Sequence, residues 1–367
     1  MNATPPPRRR PHWTWSLVAL ALGAAGGYLF HWADLPLPWM LGSLTFCLVA
    51  ALARVPLGRT GPALPVMRAV LGLAVGGAFT PALAAQAAAL SGSLAFVVPH
   101  VALIGGFGFW YFRRVARFDR ATAFFSAMPG GLNDMIAMGE GHGGDARVLA
   151  LVHATRVVVL VFLLPFLIQG LSGVDLSRLP TGGSGHLPAS FADLTLTDAA
   201  VLFACGAVGW WGAARLGISG ATIVGPMVVC AVVHLLGWTT ARPPVVAINA
   251  AQWIIGVQIG SLYTGASLRL IGRAVWLSLG FVLAALALAA GFTALVTRLT
   301  GYTVAPVLLA FAPGGQGEMN LIAVALGTDV AYVALHHLLR MVLVILGAQV
   351  VFRTLGRRGA GARAPGD

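Results

Sequence analysis

Apolar residues along this chain gather into long runs separated by short polar turns. The strict alternation of a half-buried strand is absent, and so is the one-sided stripe of a helix that faces water. Twelve runs can be drawn, at about 13–31, 36–54, 64–86, 91–112, 121–140, 146–170, 198–215, 219–238, 245–266, 273–297, 303–326 and 329–352. Most approach the length of helix needed to cross a hydrocarbon layer of roughly 30 Å. The pattern predicts an all-α integral membrane protein. The one long hydrophilic stretch, 172–197, contains LPTGGSGHLPAS and reads as a linker. It divides the chain into a basic N-terminus (1–12), a first membrane repeat (13–171), the linker, a second membrane repeat (198–353) and a basic tail (354–367).

The two long parts read as copies of one unit of about six apolar segments. At an offset of 184 positions, Pro129-Gly130-Gly131 falls on Pro313-Gly314-Gly315, and Asp134 falls on Glu318. The same offset carries Met135 onto Met319, Asp145 onto Asp329, His153 onto His337 and Arg156 onto Arg340. Upstream it carries Gly72 and Gly76 onto Gly256 and Gly260, and near the start of each half PWMLGSL matches ATIVGPM one position out of that register.

Each half holds one segment that cannot be a plain helix, SAMPGGLNDM in the first and AFAPGGQGEM in the second. Proline removes a backbone donor and clashes with the preceding turn, and paired glycines weaken continuation. Broken backbone at membrane depth survives only where protein or a wet cavity satisfies it. Two breaks at matching positions in duplicated halves point to a binding site of the carrier type. If each broken segment folds back, a half has five crossings and the second half is inverted. If each crosses, the halves are parallel. The placement of Arg269 and Arg273 favours inversion under the positive-inside rule.

Composition agrees with a membrane chain: 58% of residues are hydrophobic and only 9% charged, against about a quarter charged in soluble domains. The formal charge of +12 comes from 23 basic residues, all arginine, and most lie at the ends of apolar runs. Arg8–Arg10, Arg113, Arg114, Arg117, Arg120, Arg353, Arg357, Arg358 and Arg363 mark cytoplasmic ends, with both termini inside. No soluble domain remains to present this charge to nucleic acid, so the partners expected are the bilayer and a small solute. Cys47, Cys205 and Cys230 sit inside apolar runs without metal or disulfide spacing. The basic front of the first run looks like a signal peptide but lacks a small-residue cleavage site, so the run reads as a retained helix.

The residues that could carry chemistry cluster at the breaks. Amides of the half-helix after each Pro-Gly-Gly suit an anion. Asp134 and Glu318 could bind a cation or a proton, or could cap the new helix. Arg156 and Arg340 each lie about 16 Å into an apolar helix, placed to pair with a carboxylate or a carbonyl, or to hold an anionic solute. His153 and His337, three residues earlier on the same face, could relay protons or rest on a neighbouring carbonyl. Asn133 and Asn320 are polar groups beside the breaks. Asp145 and Asp329 read as N-caps. Gly72, Gly76, Gly256 and Gly260, with Gly23 and Gly27, read as close-packing helix contacts. Trp13, Trp15, Trp32 and Trp110 read as interfacial anchors.

The paired Pro-Gly-Gly halves with Asp145/Asp329 and Arg156/Arg340 resemble the bacterial inner-membrane family named for the AbrB duplication, over nearly all of residues 13–353. Members carry labels of ammonia monooxygenase or of AbrB-type regulator of gene expression. No cluster of metal ligands supports the first label, so neither an enzyme nor a cofactor is expected. The second label implies a membrane regulator acting through a partner. The segment APGGQGEMNLIAVALGTDVAYVAL is also similar to the broken-helix signature of bile-acid:sodium symporters. That resemblance implies inverted repeats whose broken segments bind a coupling ion and an organic anion. The Ser-rich stretch that follows the glycines there is missing here, which leaves sodium and protons both open. The expected function is an ion-coupled secondary transporter or exporter of a small anionic solute, with room for a homo-oligomer. Its expected site is Pro129, Gly130, Gly131, Asn133, Asp134, Arg156, Pro313, Gly314, Gly315, Glu318, Asn320 and Arg340.

Overall fold

The computed structural model describes residues 12–35, 37–58, 60–81, 87–172 and 190–361. The expectations attached to Arg8–Arg10, Arg363 and most of the linker lie outside the described residues. The described residues are helical throughout, joined by turns and without strands. In the first half the helices are α1 (His12–Trp32), α2 (Pro38–Leu52), α3 (Ala63–Gly76), α4 (Ala87–Ala95), α5 (Val97–Arg114), α6 (Arg120–Ala127), α7 (Leu132–Gly141) and α8 (Ala146–Ser172). The second half repeats the order with α9 (Leu196–Arg215), α10 (Ala221–Leu235), α11 (Val245–Ser261), α12 (Leu268–Thr300), α13 (Val304–Phe311), α14 (Gln316–Ala325) and α15 (Val330–Gly361). Among the described residues the halves differ at α4 and α5, which meet at Phe96 where α12 runs on unbroken.

Among the described residues, six stretches are long and apolar enough to cross a membrane: Trp13–Trp32, Leu90–Arg114, Ala146–Gly170, Leu196–Arg215, Arg269–Thr300 and Val330–Phe352. This is a multi-pass membrane protein. The four shorter apolar helices, α2, α3, α10 and α11, pack crosswise between the halves, α3 against α10 and α11 against α2. Glycine makes that crossing close. Gly72 and Gly76 sit against the carbonyls of Ile223 and Met227, and Gly256 and Gly260 against those of Met40 and Leu44. Within each half, Gly26 meets Gly42 and Gly209 meets Gly225, backbone to backbone. In lipid no hydrophobic drive distinguishes a neighbouring helix from the acyl chains, so close van der Waals fit has to supply the association. Trp13, Trp32 and Trp110 stand exposed on the outer surface of the bundle, as belt residues would.

Candidate functional site

Asp119 opens α6 by accepting a hydrogen bond from the Thr122 N–H at 2.9 Å. After Ala127 the backbone leaves the helix through Met128–Gly131, and α7 starts with Gly131 as its N-cap. The chain then turns back. Gly139 of α7 lies against Phe125 of α6, so near that a Cβ there would stand 3.3 Å from the Phe125 Cβ. In a straight helix these two residues would be about 21 Å apart. At the mouth, the Asp145 N–H donates to Thr122 Oγ1 at 2.8 Å. The segment is therefore a hairpin whose two ends share one side of the protein. In the second half, Tyr302 just before α13 and Tyr332 in the first turn of α15 have ring centroids 4.3 Å apart, which brings that hairpin's ends together as well. Asp119→Ala should lower stability by about 1 kcal/mol, the usual cost of losing a cap; thermal unfolding in detergent checks it.

The helix that follows each hairpin runs from its mouth past its tip, and there an arginine meets the break. Arg156 donates to the carbonyls of Met128 and Gly130, both at 3.0 Å. Arg340 donates to those of Ala312 at 2.6 Å and Gly314 at 2.5 Å. Three residues upstream, His153 Nε2 lies 3.0 Å from the Phe125 carbonyl, and His337 Nε2 lies 3.0 Å from that of Leu309. A carbonyl can only accept, so Nε2 carries the hydrogen in both rings. His337 Nδ1 is then an acceptor, 2.6 Å from Arg340 Nη2. The carbonyl contacts recur between the halves at the same offset of 184 positions, whereas the His337–Arg340 contact does not, since His153 Nδ1 has no partner among the described residues. Their cause is the end of α6 or α13. Terminal carbonyls have no partner within the helix, and a guanidinium fork offers two donors to the negative end of the dipole. Arg156 is only 1% exposed and ranks among the largest fully buried side chains. Of the partners expected for these arginines, a carboxylate or a carbonyl, it is the carbonyls that they meet.

Asp134 and Glu318 occupy the third position of α7 and α14 and are half-buried. Each folds back over the glycine that starts its helix: a Cβ on Gly131 or Gly315 would collide with the carboxylate. Each carboxylate thus covers the positive end of its own half-helix. The Asp134 carboxylate also accepts a hydrogen bond from Ser219 in the turn between α9 and α10, which ties the first hairpin to the second half. Pro129, Gly130, Pro313 and Gly314 are buried at the tips. Asn133 instead is exposed, whereas Asn320 is fully buried and neither amide atom has a partner among the described residues. Asn320 lies one turn after Gln316, which faces Met227 of α10. Asp145 and Asp329 cap α8 and α15, accepting from Arg147 N–H at 2.9 Å and Tyr332 N–H at 3.0 Å.

The sequence match of this arrangement is specific. The family described as "Transition state regulatory protein AbrB" matches residues 39–356, a span that takes in both hairpins and both buried arginines. The chain belongs to the AbrB family. This AbrB-family chain is also similar to a Bacillus subtilis (strain 168) protein named "Uncharacterized protein YhjN", at 25% identity with 92% of each chain covered. Sequence reasoning did not find Ser219, because the carboxylate it meets is 85 residues away. It also passed over Ser93, Tyr332 and His336, whose pairing spans more than 230 residues.

Proposed function

We propose that this AbrB-family membrane protein is an ion-coupled secondary transporter or exporter of a small anionic solute, placed in the bacterial inner membrane. One observation carries the reading: two folded-back hairpins with tips held in the protein interior by Arg156 and Arg340, each starting its second helix with an acidic side chain. Irregular backbone at depth is retained where it lines a cavity, and paired discontinuous elements are where carriers bind solute and ion. Asp134 and Glu318 bind the coupling cation, and the half-helix amides with the two arginines hold the solute.

The fold-back supports an inverted repeat, since five crossings per half leave the second half upside down. Contacts between arginine-bearing ends agree with that arrangement. Arg120 donates to the Phe352 carbonyl at 3.1 Å and Arg273 to that of Ala116 at 2.9 Å. The ends that carry Arg113, Arg114, Arg117, Arg269 and Arg273 thereby gather on one side with the end of α15, the cytoplasmic side under the positive-inside rule. Arg242 and Arg298 fall on the opposite side. The first hairpin then enters from the cytoplasm and the second from the other face.

Purified protein reconstituted into vesicles, screened against labelled small carboxylates and amino acids with imposed proton or sodium gradients, tests the proposal. Glu318→Gln should abolish gradient-driven accumulation of the active solute and leave counterflow exchange in place. Accumulation equal to wild type in Glu318→Gln would remove Glu318 from the coupling role. The wording of the family description leads to a second reading, a membrane regulator acting through a partner. Its test is capture of a defined transcription factor on the arginine-rich turns, lost when Arg113, Arg114 and Arg117 are replaced together.

A further inference from the structure

A buried polar cluster beside the second hairpin has no counterpart beside the first among the described residues. Tyr332 and His336 stand one turn apart on α15, on the face that leads to Arg340. Ser93 of α4 joins them: it bonds the Tyr332 hydroxyl and lies 2.8 Å from His336 Nε2. His336 Nδ1 lies 2.8 Å from the Tyr332 carbonyl, so Nδ1 carries the hydrogen and Nε2 accepts from Ser93. The direction of the chain follows: Tyr332 O–H donates to Ser93 Oγ, and Ser93 O–H donates to His336. All three residues are fully buried.

At the offset of 184 positions, Tyr332, His336 and Ser93 correspond to Val148, Val152 and Leu277. Those three pack together with Phe118, Ala127 and Phe281 in an apolar cluster. The same place beside the first hairpin is thus filled by hydrocarbon. Two hydroxyls and an imidazole in a membrane interior cost more than apolar packing. Their presence beside one hairpin only is a specialisation that packing does not require.

The ionisable and charged groups around His336 are few. His100 of α5 lies between Phe292 and Phe311, and its Nε2 has no partner among the described residues. His337 and Arg340 follow on α15, Asp329 caps that helix, and Tyr302 stacks on Tyr332 from the turn before α13. Toward His336, α13 presents Phe311. Arg340 stands one turn after His336 on α15 and bonds His337.

We propose that Ser93, Tyr332 and His336 form a proton-binding site, present beside the second hairpin and not the first, that acts on the α13–α14 hairpin through Arg340. Its place as the coupling step rests on the carrier reading above. A hydronium ion gives its proton to Tyr332 Oη and is left as water, as the tyrosine proton passes to Ser93 Oγ and the serine proton passes to His336 Nε2. Each hydroxyl keeps one proton and the imidazole becomes a cation. That cation stands one turn from Arg340 and repels it. Arg340 loosens its hold on the Ala312 and Gly314 carbonyls, and the second hairpin is freed. The first hairpin, flanked by Val148 and Val152, does not respond.

Hydrogen exchange read by mass spectrometry on the full chain in detergent, at about pH 8 and about pH 5.5, tests this. After correction for intrinsic rates, the hairpin 120–141 serves as the internal reference. In wild type, opening of 304–325 relative to 120–141 should rise by at least about threefold at the lower pH. His336→Gln, which keeps a polar partner for Ser93, should remove that difference, and His100→Gln should keep it. Parallel behaviour of the two hairpins in wild type overturns the proposal, and so does a difference that survives in His336→Gln. If His336→Gln does not yield folded protein, Ser93→Ala and Tyr332→Phe decide in the same way, because each interrupts the chain before the imidazole. No solute is added, so a failed transport assay leaves this result standing, and a failed exchange result leaves transport open.

Discussion

Arg340→Ala lowers the stability of the folded protein by about 3–5 kcal/mol, the scale expected when one partner of a buried charged network is removed. Arg340 makes two short bonds to carbonyls of the second break and one to His337. A charge-assisted hydrogen bond contributes about 1.5–3 kcal/mol. Deleting the side chain restores the cost of burying a guanidinium, but it leaves two carbonyls without donors where no bulk water reaches them. Arg340→Met separates the contributions, because methionine fills most of the volume and donates nothing. Its cost should come close to that of alanine, whereas Arg340→Lys, with one point donor in place of a fork, should fall between. Arg156→Ala should behave alike, since its two carbonyl bonds repeat the arrangement. Unfolding of the purified protein in mixed micelles measures all four. An Arg340→Met variant within 1 kcal/mol of wild type would mean that the break is satisfied by something other than arginine.

The second large effect is steric. Gly256→Leu and Gly72→Leu should each prevent correct assembly or lower stability by more than the ~1–3 kcal/mol usual for overpacking. A Cβ on Gly256 would sit 2.6 Å from the Met40 carbonyl oxygen, and one on Gly260 would sit 2.5 Å from that of Leu44. The obstacle is backbone, which cannot rotate away as a side chain can, so the helices α2 and α11 must separate. Gly291→Leu on α12 is the matched comparison, because nothing lies within 4 Å of its added Cβ and the position is exposed. There leucine should be neutral or slightly stabilising, since it favours helix over glycine by up to about 1 kcal/mol. Size-exclusion profiles and melting temperatures of the three variants distinguish the outcomes. Equal behaviour of Gly256→Leu and Gly291→Leu would contradict the close crossing.

Both predictions concern contacts between elements, and the division between what was legible and what was not falls there. The apolar runs gave ten of the twelve segments to within a few residues; the helix of the run at 64–86 ends at Gly76, with 82–86 outside the described residues, and α15 continues past 352 to Gly361. The bilayer explains that success: it demands apolar length and internal backbone pairing from each segment by itself. The repeat was visible because Pro-Gly-Gly, Asp and Arg are rare at membrane depth, so their recurrence in one register carries information. The same physics made Gly72, Gly76, Gly256 and Gly260 readable as contact positions.

The sequence by itself therefore determined the helices, the break points and the buried charges. Whether each broken segment crosses or folds back was decided only by tertiary contact, with Gly139 against Phe125 and Asp145 bonded to Thr122. Tertiary structure also chose the partners. The arginines took carbonyls of the hairpin tips in preference to carboxylates, Ser219 came to Asp134 from the other half, and Ser93 came to Tyr332 and His336 from α4. Local pattern is fixed by what each residue must do toward its immediate solvent. Which donor meets which acceptor depends on how helices far apart in sequence are brought together, and the run of apolar letters holds no record of that.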